Sequence, residues 1–138
     1  MFKIRISKAD EADFELLEEL NKLIFDDETF EPDFETGIWW IATHKDEAIG
    51  YAGLEQEWDY GYLCRVGILP SFRGKGLQKK FIRVREREAR KLKLTYLVTD
   101  TRPGNYPSMN SLICCGFKIF KPENPWSFDD QLYWKKDL

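Results

Sequence analysis

A chain of 138 residues is long enough for one domain with its own core, and 43% apolar against 33% charged residues is the balance of a folded protein, not a disordered one. No apolar run approaches the roughly 18 residues of a membrane span, and Met1–Arg5 lacks the apolar core of a leader, so the expectation is a cytoplasmic protein with no membrane partner. The net charge of −3 hides an asymmetry: Arg73 to Lys93 holds ten Lys or Arg against Glu86 and Glu88, a surplus of +8 that leaves −11 elsewhere. That division suits two ligands of opposite charge, or an unevenly decorated surface, and the acidic whole argues against nucleic acid as a partner.

In chain order, Phe2–Ile6 alternates apolar and polar residues as a half-buried strand does, and Ser7 or Asp10 can cap a helix running to about Phe25. Phe14, Leu17, Leu20 and Ile24 fall on one face of that helix. The acidic stretch Asp26 to Glu35, with Phe30 and Phe34, is broken by Pro32 and Gly37 into a short helix or loop. Ile38–Thr43 and Ala48–Leu54 then read as a hairpin around His44–Glu47, with His44 a solvated turn residue.

A strand is expected from Tyr62 to Leu69, ended by Pro70, and a helix from about Gly76 to Lys91, with Leu77, Phe81, Ile82, Val84, Ala89 and Leu92 on its buried arc. Arg85 and Glu88 fall inside the arc and are expected to pair at the edge of the core. Leu94–Thr99 is a further strand, so Tyr62 to Thr99 reads as strand, helix and parallel strand. A helix over about Pro107–Cys115 stops at Gly116 in a left-handed cap, and Phe117–Phe120 and Leu132–Trp134 are the last strands. Three cysteines, two of them adjacent, with His44 the only histidine, form neither a disulfide framework nor a metal set; they read as buried reduced thiols, with no metal.

The segment that carries chemistry is Ile68–Gln78. A strand feeds a glycine-bearing turn and then a helix, so backbone N–H groups without intrahelical partners converge, backed by the helix dipole. That is an anion site suited to a pyrophosphate. Gly74 and Gly76 let phosphate oxygens approach the backbone, while Lys75, Lys79 and Lys80 surround the rim with charge. The spacing fits neither a Walker loop nor a three-glycine dinucleotide fingerprint.

With Arg73–Gly74–Lys75–Gly76–Leu77 the chain resembles the GNAT superfamily of N-acetyltransferases, whose signature is Arg or Gln, two residues, Gly, one residue, Gly or Ala; Gln78 stands where the last small residue is usual. Asn105 to Phe117, with Ser108 and the closing Gly116–Phe117, is similar to the family's later motif. The resemblance implies an α/β (α+β) fold over residues 1–138: a single acetyltransferase domain with a mixed, largely antiparallel twisted sheet, a central parallel pair splayed for coenzyme A, and helices on both faces. It implies acetyl-CoA as co-substrate. Arg73, Gly74, Lys75, Gly76, Leu77, Gln78 and Lys79 would hold the pyrophosphate, Val66, Gly67 and Ile68 would offer the pantetheine arm backbone hydrogen bonds, and Asn105 and Ser108 would lie beside it.

The implied reaction moves the acetyl group to a primary amine of a small molecule or a protein or peptide. Leu112 occupies the position where many relatives place a Tyr acid, which leaves Tyr106 as a substitute acid and Glu55, at the end of the preceding strand, as the candidate base. Because neither group is evident from sequence, a catalytically silent acyl-CoA sensor is the alternative. Amines arrive as ammonium ions, so a cationic acceptor fits the acidic stretch, with Phe30, Phe34, Trp39, Trp40 and Trp58 as an aromatic wall. The protein is expected to work as a monomer or homodimer.

Overall fold

The computed structural model describes residues 3–25, 32–128 and 130–138. Among the described residues seven strands are ordered β1-β2-β3-β4-β5-β7-β6; β1–β2, β2–β3, β5–β7 and β6–β7 are antiparallel, and β4 and β5 run parallel. Contacts divide the chain into two compact units, Met1–Glu55 with Cys64–Leu77, and Gln56–Leu63 with Gln78–Leu138.

In the first unit β1 (Ile4–Lys8) pairs with β2 (Ile38–His44), and β2 with β3 (Glu47–Gln56). Strand β1 continues past the expected end at Ile6, so Ser7 belongs to the sheet and Asp10 does the capping; Phe2 lies outside the described residues. Asp10 Oδ1 accepts from the Ala12 N–H and Asp13 Oδ2 from the Asp10 N–H, a reciprocal box that starts a 3-10 turn and then α1 (Phe14–Ile24). Lys45 and Asp46 turn the β2–β3 hairpin with φ of 51° and 66°, the backbone of a type I′ turn. His44 is therefore the last residue of β2, half-buried, its ring 5.3 Å from that of Phe72.

Leu17 and Leu20 of α1 pack with Phe34, Trp39, Ile41 and Tyr51. Tyr51 is fully buried and donates to Asn21 Oδ1, the buried polar residue of α1. Burial pushes the Tyr51 phenol up to about 12 although Arg65 opposes the shift.

Strand β4 (Tyr60–Ile68) starts two residues before the expected position and shares its residues between the two units. In the second unit Tyr60–Tyr62 pairs with Tyr96–Val98 of β5 (Tyr96–Thr101), a ladder of three residue pairs. Strand β7 (Leu132–Asp137) lies between β5 and β6 (Lys118–Phe120). Helix α2 (Leu77–Lys91) buries Leu77, Phe81, Ile82 and Ala89. Arg85 is buried, not at the core's edge; it is 2% exposed and its Nε donates to the Phe81 carbonyl at 3.1 Å. α2 ends in a Schellman motif, with the Leu94 N–H on the Ala89 carbonyl and the Lys93 N–H on that of Arg90, and Lys93 holds the left-handed position at φ 61°.

Helix α3 (Tyr106–Cys114) ends the same way at Gly116, where the Phe117 N–H reaches the Leu112 carbonyl. Lys136 Nζ donates to Glu86 Oε1 of α2 at 2.5 Å and to the Cys115 carbonyl at 2.6 Å, so both helices of this unit lie on the Lys136 face of its strands. Of the cysteines only Cys115 is buried, with its thiol pushed up by that burial; Cys64 is half-buried and Cys114 exposed, because Cys114 lies on the outer face of α3.

Candidate active site

Strand β4 stops at Ile68 because Pro70 cannot extend the ladder, and Pro70–Phe72 forms one 3-10 turn. The turn is fastened at both ends. The Leu69 N–H donates to the Ile49 carbonyl at 2.9 Å and the Arg73 N–H to that of Pro70 at 3.3 Å, while Arg73 Nε reaches back to the Ile68 carbonyl at 3.0 Å. Arg73 therefore braces the strand end with its side chain.

Gly74 and Gly76 have φ of +75° and +78°, where side-chain-bearing residues are strained, and a Cβ added to either would meet nothing within 4 Å. The glycines thus leave open space in front of the backbone at the head of α2. The first helical N–H groups have no intrahelical partner, and no acidic residue occupies the first turn to compensate them. Lys75 is exposed and Lys79 half-buried.

Gly67 is small for another reason. A Cβ there would lie 2.8 Å from Tyr51 Cε1, 3.1 Å from Phe25 Cε2 and 3.2 Å from Ile24 Cδ1, so the rings require the glycine. Val66 and Ile68 on either side are half-buried.

In the second unit Asn105 caps α3, its side-chain oxygen accepting from the Ser108 N–H at 3.4 Å. Ser108 Oγ accepts from Gln78 Nε2 at 2.8 Å. Gln78 is thereby tied through its side chain to the later motif, a link that neither segment shows alone.

The family model described as the acetyltransferase (GNAT) family matches residues 5–117. The chain belongs to that family. The structure is similar to an acetyltransferase from Bacillus subtilis solved with CoA, with TM-score 0.79, 19% identity and 99% of each chain covered. It is similar to the ribosomal-protein-S18-alanine N-acetyltransferase of Escherichia coli, with TM-score 0.78, 14% identity, and 98% of this chain and 94% of that one covered. It is also similar to the IAA acetyltransferase of Bacillus cereus, with TM-score 0.78, 17% identity, and 99% of this chain and all of that one covered. No curated protein matches by sequence.

Within this GNAT chain the remaining candidates are distributed as follows. Glu55 is half-buried near the end of β3, where a Cβ on Gly37 would come within 3.5 Å of its Cγ. Tyr106 opens α3 and is 67% exposed. Leu112 is 4% exposed and belongs to the core under the α3 cap, so its position is a packing one.

Among the described residues the expected aromatic wall does not form. Phe34 and Trp39 are core residues whose rings meet at 4.7 Å, Trp40 is 5% exposed, and Trp58 is 97% exposed. Phe34 and Trp39 fill the apolar face that α1 supplies. Phe30 and most of the acidic stretch, residues 26–31, lie outside the described residues.

Asp100 is a polar site that the sequence does not single out. It sits in β5 and accepts at Oδ1 from Tyr62 at 2.8 Å and from Trp126 Nε1 at 3.0 Å. The one signal in the sequence is an acid inside an otherwise apolar and β-branched strand, Tyr96–Thr101. Among the described residues no group of three or more His, Cys, Asp or Glu is placed to hold a metal ion, and no helix is long and apolar enough to cross a membrane.

Proposed function

We propose that this chain binds acetyl-CoA and moves its acetyl group to a primary amine of a small molecule or of a protein or peptide. The observation that carries the reading is the open glycine turn between β4 and α2: two left-handed glycines at which a Cβ would meet nothing within 4 Å, helical N–H groups without intrahelical partners behind, and lysines around. The family match supports the same reading, and because it runs from 5 to 117, through segments of both units, residues 1–138 are taken as one acetyltransferase domain.

The pyrophosphate would be held by the backbone of Gly74, Lys75, Gly76, Leu77 and Gln78, with Arg73 bracing the turn and Lys79 adding charge. The three-pair ladder leaves Val66, Gly67 and Ile68 outside the β5 register, which suits an extended pantetheine arm pairing with their backbone. Asn105 and Ser108 are proposed beside that arm. In the transfer the amine nitrogen bonds to the acetyl carbon, the carbon–sulfur bond breaks and coenzyme A leaves as a thiolate. Glu55 is the proposed acceptor of the amine's proton and Tyr106 the proposed donor to sulfur, although a thiolate of ordinary pKa also takes its proton from water.

Acetyl-CoA at a hundred times its Kd should add about 2.7 kcal/mol to stability, read as a rise in Tm. Gly76→Glu should remove that rise while far-UV circular dichroism shows the fold retained, because the new carboxylate repels the pyrophosphate. A full rise in the folded variant would place the cofactor elsewhere. Thiol release from acetyl-CoA against a panel of amines tests the chemistry; a rise in Tm with no release from any amine would favour the silent sensor.

A further inference from the structure

Both helices of the second unit lie on the Lys136 face of its strands, and successive residues of a strand alternate in direction. The opposite face therefore carries Tyr133 and Lys135 of β7. Asp100 stands opposite Tyr133 in the ladder, and Tyr96 lies on the same side, its ring 4.4 Å from Lys135 Nζ. Instead of a helix, the chain that follows β6 returns over this face: the Trp126 ring meets Tyr133 at 4.6 Å, Tyr62 at 6.1 Å and Phe120 at 6.2 Å. Ser127 fastens it by donating its N–H to the Tyr133 hydroxyl at 3.1 Å.

The result is a half-buried carboxylate set among aromatic rings. Tyr62 and Trp126 both donate to Oδ1 of Asp100, and among the described residues Oδ2 has no hydrogen-bond partner. No cationic side chain is paired with Asp100 among the described residues either. Two donors hold the carboxylate in one orientation. Trp126, still 41% exposed, offers its ring to whatever approaches. A fixed carboxylate oxygen beside indole and phenol rings is the chemistry that recognises an organic ammonium ion.

We propose that Asp100, with Trp126 and Tyr62, binds a positive charge on the acceptor other than the reacting amine, so that the acceptors are amines bearing a second cationic group, such as diamines. This rests on the acetyl-transfer reading above. The assignment to the second charge follows from acid–base chemistry. A carboxylate partner stabilises an ammonium ion and raises its pKa, which opposes the deprotonation that the attacking nitrogen requires. The same partner is favourable for a nitrogen that stays charged throughout. Asp100 is accordingly a positioning and specificity residue.

The test compares 1,4-diaminobutane with n-butylamine as acceptors in the thiol-release assay, for the wild type and Asp100→Asn. The asparagine keeps an oxygen to accept from Tyr62 and Trp126 and removes the charge. Wild type should prefer the diamine, and the ratio of the two kcat/KM values should fall about 10-fold to 100-fold in the variant, the range for a charged hydrogen bond. Trp126→Phe should lower the ratio a few-fold. A merely structural loss would lower both substrates together and leave the ratio unchanged; that result, or a wild type without diamine preference, overturns the proposal.

If no amine releases thiol, acetyl transfer fails as a reading, and binding alone decides the role of Asp100. Titrating 1,4-diaminobutane against the fluorescence component that Trp126→Phe removes should then give a saturable change in wild type and none in Asp100→Asn. No change in wild type, or equal changes in both, overturns it.

Discussion

Alanine at Gly53 would test the packing of the first unit. Gly53 stands opposite Trp39 in the β2–β3 ladder, and a Cβ there would lie 2.6 Å from Cys64 Sγ and 2.7 and 2.8 Å from Trp39 Cζ3 and Cε3. The indole cannot step aside freely. Its Nε1 donates to the Thr36 carbonyl at 2.7 Å and its ring meets those of Phe34 and Tyr51 at 4.7 and 6.0 Å in a site 4% exposed. Forcing a methyl group into such packing costs about 1–3 kcal/mol. With an unfolding entropy of about 2.1 cal/mol/K per residue, roughly 0.3 kcal/mol/K for this chain, the melting temperature should fall by about 3–10 °C. Calorimetry measures the fall, and repeating Gly53→Ala in a Trp39→Phe background, which removes the benzo ring, should show a smaller cost. A melting temperature within about 1 °C of wild type, or an equal cost in both backgrounds, would refute the argument.

Lys93→Gly should stabilise the protein by about 0.5–1 kcal/mol in chemical denaturation, since Lys93 closes α2 in a left-handed conformation that glycine adopts without strain; a loss of stability would mean its side chain contributes more than the strain removes. Alkaline stability should report on Tyr51. Its folded pKa, raised by burial to about 12 from 10.0, gives stability that is complete below pH 10 and disappears as pH rises through 12, a loss of about 2–3 kcal/mol. Melts of Tyr51→Phe across that range should show a shallower decline than wild type, and parallel curves would contradict the raised value.

Elements set by local chemistry are legible in the amino-acid sequence. The hairpin around Lys45 and Asp46, α2 up to Lys91 and the cap at Gly116 follow from period and turn residues, and all are found. The glycine turn is legible too, because the left-handed backbone of Gly74 and Gly76 is a property of consecutive residues. What the sequence does not carry depends on residues far apart along the chain. Phe34 and Trp39 have the composition of a binding wall, and only the packing of α1 on their face makes them core. Gly67 reads as a ligand contact from the sequence, and the structure shows a packing reason for it: Tyr51 and Phe25 leave no room for a Cβ. Asp100 gains its character from Tyr62 and Trp126, 38 and 26 residues away, distances at which no periodicity operates.

The strand order β5-β7-β6 bears on how the chain is made. β6 leaves the ribosome before β7, yet among the described residues its one strand neighbour in the sheet is β7. Until β7 emerges, β5 lacks its antiparallel partner, β6 lacks its partner among the described strands, and the cation that joins Glu86 to the Cys115 carbonyl is absent. The second unit is thus completed by insertion of a strand between two that precede it in the chain and have waited with open edges. Such edges are where nascent chains associate wrongly with one another. One strand of six residues supplies Trp134, Lys136 and the pairing for both edges, so the same segment that closes them also brings the cation for Glu86.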